Sequence, residues 1–597
     1  MIHSAISTAD ALSSADARHS SDAHLLTQSA LADLVGMHPW NPVVPVLASA
    51  LRLRRLNALY GSIAAMSDRP FLEAFFAQTK IDVSIGGVGV DDIPAEGPVV
   101  IVANHPFGAV DGLALLWAVQ RVRPDVRVMA NRMLGLVTPL RDRWIEVDPL
   151  HTAAAPAANT RGFRECMRHL LDGRALIVFP AGEVSAFHDG PSEPVDKAWD
   201  PSVMKLIQRV KATIVPVHIP GRNSSMFYRL GDIHPRLRTV ALPSELLKKI
   251  GTTTTLTFGR AIPWSDLAAV SDPVVLGKHL RSRVYALCHG TAQRPPEQHL
   301  PAVAAAVSAS VVAAEIDRHR DALLCGQGDF EVYLIAGDTA PAVLHEIGRR
   351  REITFRTVGE GTGTALDIDA IDRWYEHLVL WHRPTAQIAG AYRLGHGGRI
   401  TQHHGMDALY TTTLFMFDAQ ARELLTSSLE LGRSFVMPDF QRQRLPLFLL
   451  WQGILIYTDR HPELQRIIGP VSISADYSLV SKCCIATFFH RQSTGSPFAG
   501  HVAARCPLPA SIPGIDLDAL LEPVGNDIRA LDRLIRALEV NELGVPVLVR
   551  KYAQQNATIV AFSEDQAFSN ALDGFMSLSV GDIPEQLRAG NSVNQNA

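Results

Sequence analysis

Three features that would place a chain in a specialised class are missing from these 597 residues. There is no long apolar run, and a membrane-spanning helix needs about 18–20 consecutive apolar residues. There is no excess of charge of either sign. Lys and Arg number 56 against 60 Asp and Glu, a net charge of -4, which gives no overall attraction to nucleic acid. Cysteine is scarce: Cys166, Cys288, Cys325, Cys483, Cys484 and Cys506 are the full set. None forms a C-x-x-C pair, and adjacent Cys483 and Cys484 have no zinc spacing. The pattern argues against a metal centre and a disulfide framework, and for free buried thiols in a reducing cytosol. The N-terminus has no basic stretch followed by an apolar one, so no signal peptide is expected.

What is present is a globular composition, 47% hydrophobic and 19% charged. The length exceeds what one core supports, so two or more domains are expected. Residues 1–22 read as a polar tail. Residues 23–80 read as helical. Within them, residues 43–66 carry Arg52, Arg54 and Arg55 at helical spacing among aliphatics, as in a helix at a membrane surface or one packed on a core. Over 81–288, strands at 98–103, 126–130, 174–179 and 213–219 alternate with helices at 112–121, 159–172 and 201–211, an α/β pattern. A polar, proline-containing linker opens 289–324 and a helix is expected over 301–324. A second α/β pattern occupies 325–585, with strands from Phe330, at 376–381, 387–394 and 433–437, and a helix at 441–457. Residues 586–597 read as a tail.

The most informative segment is Asn104-His-Pro-Phe-Gly-Ala-Val-Asp-Gly112, directly after the apolar run Val99–Ala103. A histidine leaves a buried strand and meets Asp111 across a turn containing Gly108. Such a pair supplies a general base and the carboxylate that orients it. Two further loops follow strands in the same way. One is Phe179-Pro180-Ala181-Gly182-Glu183. The other runs from Val215 to Ser224 and carries Arg222 and Asn223. Loops at the C-terminal ends of strands converge on the ligand crevice of open α/β sheets. Arginines at 121, 123, 127, 132, 141 and 143 are further candidates for an anionic ligand, or plain solvated charge.

These three segments, in this order, resemble the glycerolphosphate/lysophospholipid acyltransferases, whose signature is N-H-x4-D, an F-P-E-G-T-R-S-like loop and an I-V-P-V strand. The resemblance covers about residues 80–285. It implies that His105 deprotonates an acceptor hydroxyl, that Asp111 orients it, and that Asn104, Gly108, Phe179, Pro180, Gly182, Glu183, Arg222 and Asn223 bind substrate. Here five residues separate His and Asp, and Glu183 follows the glycine. A subgroup with N-H-P-x-G-x-x-D-G and F-P-A-G-E acylates lyso-type lipids, aminolipids among them.

The second half contains Arg351-x-x-x-Phe355, Asp369-x-x-Asp372, Arg393 and Glu430-x-x-Arg433. Singly each is a weak signal. In order they resemble the N-acyltransferases that use acyl-carrier-protein thioesters, among them the ornithine-lipid N-acyltransferases and, more distantly, the acyl-homoserine-lactone synthases. All share the GNAT fold. The resemblance implies Glu430 as base on an acceptor amine, with Arg351, Asp369, Asp372, Arg393 and Arg433 shaping the substrate or carrier site. The Q/R-x-x-G-x-G/A loop of coenzyme-A-using members is not evident, which favours a phosphopantetheine arm on a carrier protein.

Together the resemblances imply a bifunctional enzyme with no bound cofactor. It would N-acylate an amino acid, ornithine foremost, with a 3-hydroxyacyl thioester on acyl carrier protein or CoA, then O-acylate the new hydroxyl. Its expected partners are acyl carrier protein, the amino acid and membrane-surface lipids, with no nucleic acid. Its expected place is the cytoplasm, peripheral at the inner membrane. Alternatives are a single-activity lysophospholipid acyltransferase with a carrier-binding or regulatory C-terminal domain, and a hemolysin-like membrane-binding protein.

Overall fold

A computed structural model describes residues 24–35, 38, 40–147, 155–187, 193–233, 235–289, 300–566, 568 and 570–583. Both expected tails and most of the expected linker lie outside the described residues. The chain forms two compact units. Unit 1 is Met1–His289 with Ser511–Gly525, and unit 2 is Gly290–Ala510 with Asn526–Ala597.

Unit 1 is built on seven strands: β1 (Asp82–Gly87), β2 (Val99–Ala103), β3 (Arg127–Asn131), β4 (Trp144–Val147), β5 (Ala175–Val178), β6 (Thr213–His218) and β7 (Thr253–Phe258). Their order is β1-β7-β6-β2-β5-β3-β4. Every neighbouring pair is parallel except β6 and β7. The central strand β2 explains why its sequence is an unbroken apolar run. Val99, Ile101 and Ala103 face one core, whereas Val100 and Val102 face another. A strand covered on both faces has no polar side to alternate with. The adjacency β6-β2-β5 brings the ends of three strands side by side, each followed by one of the candidate loops.

The N-terminal region departs from one expectation. Residues 43–66 do not form one helix. Helices Val43–Ala50 and Leu53–Gly61 are separated at Arg52, which takes a left-handed conformation with φ 55°. An αL residue ends a right-handed helix, so the three arginines do not share one continuous face. Leu53, Leu56 and Tyr60 are buried.

Unit 2 contains an eight-stranded sheet. Its strands are β8 (Leu323–Gln327), β9 (Phe330–Ala336), β10 (Glu376–His382), β11 (Gln387–His396), β13 (Ser428–Val436), β14 (Arg466–Ile473), β16 (Thr558–Asp565) and β17 (Ala571–Ser579). The order is β16-β17-β14-β13-β11-β10-β9-β8. Short strands β12 (Phe415–Phe417) and β15 (Val502–Ala504) pair separately. All neighbours in the large sheet are antiparallel except β13 and β14. That parallel pairing stops at Glu430 and Ile468, although both strands continue. The helix expected over 301–324 covers only Ala309–Arg318, and β8 begins at Leu323. The preceding run forms no helix, and its Ala304 amide donates to the Ala365 carbonyl at 2.8 Å.

Candidate active sites

In unit 1 the chain leaves β2 and turns before the helix Ala109–Val119. Gly108 makes the turn at φ 96°, and a Cβ there would meet the Leu242 side chain at 2.9 Å. Asp111 is fully buried. Its Oδ2 accepts the amides of Phe107 (2.8 Å) and Gly108 (2.9 Å), capping the helix. The same oxygen lies 3.0 Å from His105 Nδ1. The alignment falls short of a hydrogen bond, as is common for catalytic pairs before substrate arrives. The imidazole stacks on Phe179, with centroids 4.2 Å apart.

The other predicted residues divide into wall and brace. His105, Gly108, Phe179, Pro180, Gly182 and Glu183 all line one cavity of about 390 Å³. Asn104 is a brace. Its Nδ2 donates to the Ile219 carbonyl (2.8 Å) and its Oδ1 accepts the Ile219 amide (2.7 Å), tying the turn to the end of β6. Asn223 Nδ2 donates to the Pro106 carbonyl (3.1 Å) from a buried position. Both are fitted to holding loops together. Arg222 is exposed, and its carbonyl accepts from Lys249. Glu183 forms ion pairs with Arg238 (2.5 Å) and Lys197 (2.7 Å). Three of the arginines proposed for a ligand are used by the fold. Arg123 binds the carbonyls of Pro94, Gly97 and Gly173, Arg127 binds Glu165, and Arg143 binds Asp68. The Arg132 side chain lies outside the described residues.

Most of the rest of the cavity wall is apolar, with Asn131, Asn159, Asp200 and Arg238 as polar exceptions. Leu56, Leu59, Tyr60, Phe71 and Phe75 come from the N-terminal helices, and Leu242 and Leu246 from the helix Pro235–Lys248. The size and apolar wall suit a hydrocarbon ligand, with the histidine as one of few polar groups. Sequence reasoning missed this wall, together with Arg238 and the buried group Ser185, Asp196, Trp199 and Tyr285 behind the histidine. An amphipathic pattern says that a face is apolar and not what it lines.

In unit 2 the predicted residues form an ionic cluster. Arg351 and Arg393 are fully buried. Arg351 donates to Asp372 Oδ1 at 2.8 Å, and Arg393 donates to both oxygens of Asp369 at 3.1 and 3.0 Å. Burial would raise the Asp372 carboxyl, but Arg351 and Arg393 beside it hold it well below the usual range. Asp369 and Asp372 also cap each other's backbone. Arg433 sits on β13 at φ 50°, 3.8 Å from Asp367 and 3.9 Å from Asp369, over the Phe568 ring. Glu430, the last β13 residue paired to β14, is buried. It accepts from the Tyr375 hydroxyl, the Tyr410 amide (3.1 Å) and the Thr411 amide (2.7 Å).

Two carboxylates near this cluster were not anticipated. Asp573 on β17 is buried, accepts from Ser472 Oγ at 2.6 Å, and is pushed up to about 7 by burial and by Asp565. Glu360 is pushed up to about 7 by burial and by Asp573 and Asp476. No sequence motif marked them, because only folding brings Asp573 near Arg433 and Glu360 near Asp573.

A family model described as "Acyltransferase" matches residues 44–290, and one described as "Acetyltransferase (GNAT) domain" matches residues 350–452. A glycine N(alpha)-acyltransferase of Bacteroides thetaiotaomicron is 30% identical over 298 residues, which is 47% of this chain and 87% of that protein. A protein of the same name from Phocaeicola vulgatus is 28% identical, covering 48% and 91%. A lyso-glycine lipid O-acyltransferase of Bacteroides thetaiotaomicron is 30% identical over 229 residues, 36% of this chain and 79% of that protein. With an acyltransferase domain, a GNAT domain and relatives named for N-acyl and O-acyl transfer, the chain is an acyltransferase and belongs to the family of aminolipid-forming acyltransferases.

Proposed function

We propose that the chain makes a two-chain aminolipid in consecutive steps. Unit 2 transfers a 3-hydroxyacyl group from a thioester to the amine of an amino acid. Unit 1 then esterifies the new hydroxyl with a second acyl group. In the second step His105 takes the hydroxyl proton as the oxygen attacks the thioester carbonyl. The carbon–sulfur bond breaks and the proton passes to the departing thiolate, while Asp111 steadies the imidazolium. The observation that carries this reading is the His105–Asp111 pair in the wall of an apolar cavity, where an acyl chain and a base meet.

Ornithine is the acceptor favoured by the motif resemblance. Asp573 and Glu360, both raised by burial and neighbouring carboxylates, support a second ammonium in the substrate. Glycine is the second reading, supported by the relatives' names. Acyl carrier protein is the proposed donor. Past Glu430 and Ile468, β13 and β14 no longer pair with each other, although β11 and β17 still pair with their other edges, and the facing edges suit the amides of a phosphopantetheine arm. Among the described residues no helix is long and apolar enough to cross a membrane. Exposed Trp40, Val43 and Val46, with exposed Arg52, Arg54 and Arg55, support peripheral contact with the inner membrane.

The test supplies purified full-length chain with a 3-hydroxyacyl thioester, on carrier protein or on CoA, and ornithine or glycine, followed by a second acyl thioester. Formation of the N-acyl amino acid and then its O-acyl ester is the expected result. Acylation of a lysophospholipid alone identifies the single-activity enzyme. Vesicle lysis with no transfer identifies a membrane-binding protein.

A further inference from the structure

Behind the reactive histidine lies a second buried carboxylate. Asp196 is 1% exposed, and its side chain accepts from three neutral donors: Ser185 Oγ (2.6 Å), Trp199 Nε1 (3.1 Å) and the backbone amide of His105 (3.2 Å). The Ser185 amide in turn donates to the His105 carbonyl at 2.9 Å. The peptide groups on both sides of the His105 Cα are thereby pinned, and the direction of the imidazole with them. Asp196 is itself held on both sides. Its amide donates to the Tyr285 hydroxyl oxygen at 2.7 Å, and its carbonyl accepts from Arg281 at 2.7 Å.

Both of those side chains belong to the helix Pro273–Ala286, on which the segment Ser511–Gly525 of the same unit packs. Arg281 donates to the Gly514 carbonyl at 3.3 Å. Gly514, at φ 79°, lies so close to the Tyr285 ring that a Cβ would meet it at 2.6 Å. His279 contacts the Ala519 carbonyl at 3.0 Å, and the Asp516 amide donates to Ser282 Oγ at 2.8 Å. Chain that follows most of unit 2 in sequence thus completes the support behind His105.

We infer that Asp196 is a positioning residue for His105 in the O-acyl step, and that the Ser511–Gly525 strap acts on that step through Arg281 and Tyr285. Burial raises the Asp196 carboxyl, and the three hydrogen bonds and the His105 charge oppose that shift. The hydrogen bonds that the Asp196 side chain accepts fix the turn from which the imidazole projects. A misplacement of about 1 Å at a reacting group costs on the order of 100-fold in rate. Neither Asp196 nor the strap lines the substrate cavity itself, so the effect belongs in kcat.

The experiment uses the whole chain with an N-(3-hydroxyacyl) amino acid as acceptor, and circular dichroism with the thermal unfolding midpoint of unit 1 reports that this unit is folded. D196L removes the acceptor for the His105 amide and Ser185 Oγ. D196N/W199F keeps an amide oxygen for both donors and removes the Trp199 N–H that would oppose the new amide. D196L is expected to lower kcat about 10- to 100-fold, with KM within about 3-fold, and D196N/W199F to retain more of the W199F rate. G514V, which displaces the Tyr285 ring, is expected to lower kcat about 3- to 10-fold. If folded D196L keeps the wild-type kcat, or KM rises in step with the fall in kcat, the positioning role is overturned. If G514V keeps the wild-type kcat, the strap's part is overturned. The inference rests on His105 as base. O-acyl transfer that survives H105A sinks that reading, whereas a silent H105A beside an unimpaired D196L sinks only the role of Asp196.

Discussion

The two sites solve the placement of reactive groups in opposite ways. Unit 1 sets His105 beside two buried carboxylates and a mostly apolar wall, and its turn is fixed by backbone amides that donate to Asp111 and Asp196 and by the Ile219 amide that donates to Asn104. Unit 2 sets Arg351, Arg393 and Arg433 against Asp367, Asp369 and Asp372. In the first site the charged side chain that matters is separable from the core. In the second the charges are part of the core, and a buried ion left without its partner destabilises the fold. The difference predicts that substitutions in unit 1 act on chemistry, and substitutions in unit 2 act on folding as well.

The largest expected effect is on the reaction alone. His105→Ala should lower O-acyl transfer by about 10²- to 10⁴-fold while the thermal unfolding midpoint stays close to wild type. A large loss of stability would erase the contrast between the sites. In unit 2, Arg393→Met leaves Asp369 and Asp372 short of a buried partner. It should cost about 3–5 kcal/mol, read as a lowered urea midpoint for unit 2, with N-acylation lost alongside. An Arg393→Met chain as stable as wild type would show that the cluster is catalytic only.

Asp573 and Glu360 sharpen the comparison through pH. Their folded values near 7 lie above the ordinary 3.8 and 4.5. The folded protein therefore binds more protons than the unfolded chain between about pH 4 and 7, and unit 2 loses stability as pH rises across that window. Asp573→Asn should remove part of that loss, raising stability at pH 8 by on the order of 2 kcal/mol with little change at pH 4. Equal effects at both pH values would contradict the assignment. The smallest effect concerns the cavity. Leu59→Trp narrows its wall and should shift preference toward shorter acyl donors about 3- to 10-fold, measured by competition between chain lengths. An unchanged preference would place the acyl chain elsewhere.

The parts legible in the sequence were those encoded locally. β2 reads as a strand because both its faces are buried, and His105 and Asp111 are found because one short turn joins them. The α/β layer of unit 1 follows from strand–helix alternation, whereas its strand order does not; β1 and β7 carry polar Asp, Ser and Thr, and β4 is only Trp144–Val147, so these three give little signal. Arg52 illustrates a different limit: its left-handed break leaves the hydrophobic spacing nearly intact, so periodicity reads through it. The hairpin β16–β17 and its Asp573 acquire meaning only when paired beside β14. Asp196, Tyr285 and Gly514 are far apart in the chain and meet only in the folded unit, so spacing could not join them.

The most direct measurement is mass spectrometry of lipid extracts from a host that makes no aminolipid of its own, expressing the wild-type chain or His105→Ala. The two-step account predicts a two-chain aminolipid from the wild type and accumulation of the single-chain 3-hydroxyacyl amino acid from His105→Ala. A two-chain product that persists in His105→Ala, or loss of both products together, would contradict it.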